Sequence, residues 1–386
     1  MIKAIIVHTI ETADLDYALN ELNSQINSQG PMLRNTAGII ICNYEFVESG
    51  LVHELCTRLP FTVLGCSSQI FAVPNAGEEL MLTLMVLTSN DVEFHAGISE
   101  PLGIGKQGVL EDLYRGLTVQ GAFVPALMLI FSPMLSGITG NTLVSTLDRV
   151  SGGVPMFGSI AIDITTSTRN PVTIFNGSAH PDRLAMLLLR GNVHPRFLTR
   201  SLPGEPRFSH KFNITKVQAN RIISINNRPA VEFLERLGVI NTDEVEVFYA
   251  FPIVVDYEDG SPPKIFTISK ADTDGSLISE LDIPAGGTAS IGTINGTLVV
   301  ASTRHIIEQI KEIPEASVMF LASCFSRVLT LRDSLEEVDV VIKQLRDWPV
   351  PFVFFSSGGE ICPIFKDGQE KPINSFHQFT IVACVF

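Results

Sequence analysis

Eight residues near the carboxyl end of the 386-residue sequence have types and spacing that could support chemistry. They follow or adjoin three apolar runs that have the length of strands: Cys324, Arg327, Ser357, Gly358, Gly359, Glu360, His377 and Thr380. In open α/β sheets, ligands bind outside the carboxyl ends of the strands. We therefore expect these residues to line one ligand site at one edge of a sheet.

The chemistry of this set suits an amino acid or a similar zwitterion. Arg327 can hold a carboxylate through two parallel hydrogen bonds, and Glu360 can meet an ammonium group. Gly358 and Gly359 would let backbone N–H groups approach a ligand closely. The sequence leaves a structural alternative equally open, in which Arg327 pairs with Glu360 and the glycines serve a tight turn.

Cys324 also raises the hypothesis of a thiol enzyme, because a nucleophilic cysteine needs a base within hydrogen-bond reach. His305 and His377 are the histidines of this region. Cysteines that stand alone are more often buried and inert, so we expect no catalytic residue and a protein that is not an enzyme. The GIGKQG segment (103–108) fits G-x-G-x-x-G, but no acidic residue ends the next apolar run, which predicts a plain loop.

The distribution of histidine and cysteine predicts no metal site. The eight histidines form no H-E-x-x-H pattern and no close pair with a cysteine. The six cysteines include no C-x-x-C pair, which is typical of reduced thiols in a cytoplasmic protein.

Composition excludes several classes of protein. The formal net charge of −14 disfavours binding to nucleic acid or to anionic membranes, since both require a basic surface. Mean hydropathy is high at +0.29, yet the longest apolar runs have strand length and none reaches the ~20 residues of a membrane-spanning helix. The amino terminus lacks the pattern of a signal peptide. We expect a cytoplasmic protein without membrane insertion.

Three stretches of the chain share one plan and predict an α/β fold. Starting near 37, 124 and 316, each runs strand, helix, strand, Gly/Ser turn, strand, and each follows a further strand and helix. The preceding strands are predicted at AIIVHTI, VEFHAGI and GTLVVAST. We predict two domains of repeated β-α-β-β units, with mixed sheets covered by helices and a layered α-β-β-α stacking as one arrangement.

The predicted domain boundary lies where the sequence HPRFLTRSLPGEPR lacks periodicity. The first domain would span 1–200 and hold two units. The second would span 201–386, with an α+β segment at 201–288 followed by the third unit.

The ordered motifs of the chain resemble those of the FIST family, whose members carry a FIST N-terminal and a FIST C-terminal domain. The matching segments are FTVLGCSS (61–68), VPMFGSIAID (154–163), ITKVQANRIISINNRPAVEFLERLG (214–238), ASCFSR (322–327) and FFSSGGEI (354–361). Two positions depart from the family pattern, with Ser159 in place of glycine and Gln378 in place of asparagine.

The resemblance implies a sensory module of signal transduction that binds a small ligand. Some members of the family are haem-binding nitric-oxide sensors, so haem is the alternative cofactor. The histidines weighed as its ligand are His53, His180 and His194, and the sequence selects none of them. No output domain is visible in the sequence, so the resemblance implies signalling through a separate output protein.

Overall fold

The computed structural model describes residues 2–103, 105, 107–119, 124–133, 138–163, 170–202, 205–206, 211–236, 252–257, 264–279, 282–283, 286–293, 295–314, 316–332, 334–365 and 372–386. Within them, strands are numbered β1–β27 and helices α1–α9 in chain order. Residues Ile104 and Lys106 of the GIGKQG segment lie outside the described residues, so its predicted loop stays a prediction.

Three repeats build most of the fold, and each runs strand, helix, strand, helix, strand, hairpin, strand. The first repeat contains β1 (Lys3–Thr9), α1 (Leu15–Ser28), β2 (Asn35–Cys42), α2 (Glu45–Glu48), α3 (Leu51–Arg58), β3 (Val63–Ser67), β4 (Phe71–Val73), β5 (Ala76–Glu78) and β6 (Leu82–Ser89). The second contains β7 (Glu93–Ile98), α4 (Gly108–Val119), β8 (Leu127–Ser132), α5 (Gly140–Ser151), β9 (Met156–Ile160), β10 (Thr173–Phe175), β11 (Ser178–His180) and β12 (Ala185–Arg190).

The third repeat is interrupted after its first strand, β13 (Arg196–Ser201). It resumes with α7 (Gly296–Lys311), β23 (Met319–Cys324), α8 (Phe325–Thr330), α9 (Glu336–Leu345), β24 (Phe352–Ser357), β25 (Glu360–Ile364), β26 (Ile373–His377) and β27 (Thr380–Val385). The interruption contains β14 (Glu205–Pro206), β15 (Phe212–Gln218), β16 (Arg221–Ile225), β17 (Arg228–Pro229), α6 (Ala230–Arg236), β18 (Ile253–Asp256), β19 (Lys264–Phe266), β20 (Ile268–Ala271), β21 (Leu277–Ser279) and β22 (Thr288–Thr293).

The repeats exchange hairpins, so that the three sheets have the same strand order. The orders are β1-β6-β2-β3-β10-β11, β7-β12-β8-β9-β25-β26 and β13-β27-β23-β24-β4-β5. The middle of each sheet is a parallel pair, as in the Ile40–Gly65 and Ile130–Gly158 registers. The hairpin that completes each sheet always comes from another repeat, and the three exchanges close a ring.

The strands alternate their side chains between an inner core and an outer layer of helices. Ile39 and Ile41 of β2 lie in a core shared with Leu129 of the second sheet and Phe320 of the third. Ile40, between them, packs on the opposite face among residues of α1 and α3. Because both faces of the sheets are covered, near-continuous apolar strands are required, and this confirms the predicted α/β fold of mixed sheets covered by helices. The inner core joins three sheets where the sequence analysis considered two.

One predicted strand is wrong. GTLVVAST does not form a strand but begins helix α7, whose first turn is capped by the Asn295 Oδ1, which accepts from the Leu298 N–H at 3.0 Å. Val299, Ile306 and Ile310 are buried at helical spacing, and this packing overrides the β propensity of the valines. The strand that the third repeat needs is β13, which lies in the segment predicted to be an aperiodic boundary.

The contacts divide the chain into two compact units. The first comprises Met1–Arg200, Thr303–Phe325 and Leu335–Phe386, and the second comprises Ser201–Ser302 and Ser326–Ser334. The second unit is built on a sheet with the path β19-β18-β22-β15-β16-β21-β20, with β14 pairing to β22 and β17 to β16. The compact units do not test the predicted division into two domains at 200/201, which stays a prediction. In the described part of the chain, no helix combines the length and the hydropathy needed to cross a membrane.

Substitution of a glycine in a central parallel pair tests how closely its two strands approach. A Cβ on Gly158 would collide with the Ile130 carbonyl oxygen of the neighbouring strand, so Gly158→Ala is expected to cost about 1–3 kcal/mol by overpacking. Gly116, on the exposed face of α4, has open space around it, and Gly116→Ala is expected to add up to about 1 kcal/mol through helix propensity. Urea denaturation of both variants measures the effect. Equal midpoints would contradict the close approach of β8 and β9.

Candidate functional site

Three turns meet where the exchanged hairpins leave their own sheets, and we call residues 67–69, 160–162 and 356–358 the junction. Backbone hydrogen bonds link the turns in a closed set: Ile162 N–H to Ser67 C=O (3.1 Å), Gly358 N–H to Ile160 C=O (2.9 Å) and Ser356 N–H to Gln69 C=O (3.1 Å). The Ser68 hydroxyl also donates to the Ser356 carbonyl. The junction therefore joins all three repeats through the main chain.

One polar side chain from each repeat forms a buried cluster beside these bonds. The Ser159 hydroxyl lies 2.8 Å from the Ser357 Oγ and also hydrogen-bonds the Cys66 thiol. All three side chains are fully buried. Polar groups in such an interior persist where they satisfy one another, as this cluster does.

Glu360 begins the strand that crosses from the third repeat to the second sheet. It pairs with Ser159 on β9 and with His377 on β26, and its side chain is 0 % exposed. A buried carboxylate is stable only beside compensating charge or hydrogen-bond donors. Its negative charge is felt by the Cys362 thiol, whose pKa is raised mainly by burial and further by Cys384 and Glu360.

The two glycines of the turn are held by the protein itself. The Gly358 N–H donates to Ile160, and the Gly359 N–H donates to the Ser357 Oγ at 3.1 Å. A Cβ at Gly359 would collide with the Phe376 ring. These contacts favour the tight-turn interpretation of the glycines over a role as ligand-binding N–H groups.

His377 and Thr380 flank the last turn on the same side of the chain. The His377 Nε2 lies 2.8 Å from the Cys362 carbonyl oxygen, and since a carbonyl only accepts, Nε2 carries the proton in this contact. The Thr380 hydroxyl donates to the Gln378 carbonyl at 2.8 Å and is buried. Both side chains are therefore oriented by backbone carbonyls.

Cys324 ends β23 and Arg327 follows it, but the two residues fall in different compact units. Cys324 ends β23 opposite Ser357 in the parallel register and is 3 % exposed. Arg327 is described with the second unit, where it is fully buried and its Nη2 donates to the Val299 carbonyl at 3.2 Å. Seven of the eight predicted residues therefore belong to the first unit, on strands of the third and second sheets and on the turns beside them, rather than at one edge of a single sheet.

A second buried carboxylate, which the sequence analysis missed, contacts the residue before Cys324. Glu337 of α9 is 3 % exposed and accepts hydrogen bonds from the Thr303 hydroxyl at 2.7 Å and from the Ser323 hydroxyl at 2.9 Å. Ser323 directly precedes Cys324 on β23. A glutamate at an apolar-face position of the predicted helix was the signal that could have identified it.

Ser159 was also missed, although its departure from the family glycine was visible in the sequence. Its importance follows from its place on β9, which receives β25 of another repeat. Only the exchanged pairing brings it within 2.8 Å of Ser357.

Two of the three histidines weighed for haem are exposed to solvent. His53 is exposed on α3, and His194 is exposed with its Nε2 2.8 Å from the Asn192 Oδ1. His180 lies on the short edge strand β11 and is half-buried; burial lowers its pKa, and Arg183 lowers it further. Exposed rings such as those of His53 and His194 lack the enclosure by apolar side chains that a haem ligand needs. Among the described residues, no three His, Cys, Asp or Glu side chains group as metal ligands.

Comparison with known proteins identifies two family domains. The model of the FIST N domain matches residues 36–228, and that of the FIST C domain matches residues 230–363. No curated protein matches the sequence. Among solved structures, the chain is similar to the cyanuric acid hydrolase from A. caulinodans, with 8 % identity, a TM-score of 0.36, and coverage of 100 % of this chain and 99 % of that one.

The burial of the thiols gives a test of the thiol-enzyme hypothesis. Burial raises the pKa of five of the six thiols. The pKa of Cys56 is raised to about 12, and the pKa values of the other four are raised well above the usual range: Cys42, Cys66, Cys362 and Cys384. Because the thiolate is the reactive form, the folded protein should resist iodoacetamide at about pH 8, and the urea-unfolded protein should take up six adducts. Mass spectrometry counts the adducts. Rapid labelling of folded Cys324 would restore the thiol-enzyme hypothesis.

Proposed function

The chain belongs to the FIST family, and we propose on this premise that it is a cytoplasmic sensor of an amino acid or a similar zwitterion. FIST domains are sensory domains of signal transduction that bind small ligands and are not catalytic. All six cysteines are free, which supports a reducing compartment. The haem alternative is not favoured.

The observation that carries the proposal is the convergence of three repeats beside one buried carboxylate. Glu360 pairs with Ser159 of the second repeat, and Ser159 contacts Ser357 of the third repeat and Cys66 of the first. Glu360 would bind the ligand ammonium, with Cys324, Ser357, His377 and Thr380 around it. The turn glycines, Gly358 and Gly359, would shape the site.

Burial of the site implies that binding is coupled to an opening of the protein. Ser357, Glu360 and Thr380 are fully buried, so a ligand reaches them only in a second, more open conformation. A ligand that binds only that conformation shifts the population toward it. Such a shift at the junction changes hydrogen bonds that join the three repeats, which supplies a signal for a separate output protein.

The ammonium site is tested by Glu360→Gln, which keeps the shape of the side chain and removes its charge. A thermal-shift panel of amino acids first identifies the ligand, since a ligand at 100 times its Kd adds about 2.7 kcal/mol to stability. Glu360→Gln is then expected to weaken binding by about tenfold or more. Glu48→Gln, at an exposed position on α2, is the control. Equal affinities of the two variants would contradict the assignment of Glu360.

Arg327 is a separate prediction, because it is described with the second unit. Arg327→Lys keeps the charge but loses the planar fork that holds a carboxylate. Calorimetry should show weaker binding of the amino acid and unchanged binding of the corresponding amine without its carboxylate. Arg228→Lys, an exposed change in the same unit, is the control. Unchanged affinity for the amino acid would contradict the prediction that Arg327 binds a carboxylate.

A further inference from the structure

A polar groove lies on the first unit, away from the junction residues. It has a cavity volume of about 820 Å³, in the range of sites for small organic ligands. Its lining residues come from α7 and from α9 with the turn after it: Arg304, Glu308, Lys311, Val340, Lys343, Gln344, Asp347 and Trp348. None of them belongs to the site proposed above.

The groove is built by two helix faces and one turn. Arg304, Glu308 and Lys311 follow one another at spacings of four and three along α7, so they form one stripe. Lys343 and Gln344 lie on the last turn of α9. Trp348 follows that helix, and its main-chain N–H donates to the Leu345 carbonyl at 3.0 Å. This bond fixes the main chain of Trp348 at the end of the groove.

The cations of the groove are available to a ligand. In the part of the chain that the structure describes, the side chains of Arg304, Lys311 and Lys343 form no ion pair or hydrogen bond. Three cations face two carboxylates here, in a chain whose net charge is −14. Lysines are favoured in the last turn of a helix because the helix dipole is negative there, and this explains the positions of Lys311 and Lys343. Arg304 lies earlier in its helix, so the dipole does not explain its position. A local excess of positive charge attracts an anion.

Two uncharged groups add requirements of their own. The Gln344 Oε1 is buried and accepts no hydrogen bond from the described residues, so it lacks a donor. Trp348 offers an aromatic face that is half-buried, which suits stacking by a flat ring. A ligand that satisfies the whole lining therefore carries an anionic group, a flat ring and an N–H donor.

We propose that this groove binds an adenine nucleotide. The phosphates contact Lys311, Lys343 and Arg304, and the adenine ring stacks on Trp348. The Gln344 side chain turns its buried amide oxygen toward the groove on binding, so that Oε1 accepts from the adenine amino group, and the ribose hydroxyls donate to the carboxylates of Glu308 and Asp347. This second site is independent of the zwitterion site at the junction, with which it shares no residue.

The only tryptophan of the chain gives a direct measurement, because every change of indole fluorescence reports on Trp348. The full-length protein is titrated with ATP, adenosine and tripolyphosphate in the absence of divalent cations, with free N-acetyl-tryptophanamide correcting for absorption. Calorimetry on the same samples detects binding that leaves fluorescence unchanged. The expected result is saturable binding of ATP, and binding at least about tenfold weaker for each of the two fragments, as the loss of one set of contacts requires.

Variants separate the contacts. Lys311→Gln and Lys343→Gln are each expected to weaken ATP binding by about tenfold. Arg346 is exposed beside the groove but does not line it, so Arg346→Gln should leave ATP binding unchanged. Gln344→Met should weaken the binding of ATP and leave the binding of tripolyphosphate unchanged. The proposal is overturned if ATP gives neither a fluorescence change nor heat, if tripolyphosphate binds as tightly as ATP, or if the lysine variants match Arg346→Gln.

Discussion

Each central parallel pair has one edge, at β3, β9 or β24, that is covered by a hairpin from another repeat. Open edges expose unpaired N–H and C=O groups and invite association with other chains. The exchange of hairpins removes this edge in all three sheets at once. Every repeat therefore completes a neighbour, and all three sheets contribute side chains to the shared inner core.

The exchange also explains where the polar residues lie. A chain that crosses between sheets must turn inside the protein, and its backbone groups must be satisfied there. Hydroxyls of Ser68, Ser159 and Ser357 and the junction carbonyls meet this need. Polar chemistry is thus brought to the centre of an otherwise apolar fold. The charged groove on α7 and α9 has a different origin, since it arises from solvent-facing stripes of two helices.

Much of the repeat plan could be predicted, because apolar runs of strand length, helical spacing and Gly/Ser turns are local signals. The α/β class and Glu360 with its turn came from such signals. The exchanged hairpins could not be predicted, since strands of three residues such as β4 and β10 carry little pattern and their partners lie in another repeat. The same non-local pairing hid the contact of Ser159 with Ser357. The valines of GTLVVAST indicated a strand, but tertiary packing favours a helix in this segment.

The ring has an order of completion that follows the direction of synthesis. β4 and β5 emerge from the ribosome early, yet their partner β24 begins at Phe352, and β9 waits for β25, which begins at Glu360. Pairings of such long sequence separation form slowly, and waiting edges are prone to aggregation. The carboxyl-terminal strands therefore act as the closing step of folding, and a nascent chain that stops before them carries two unfinished sheets.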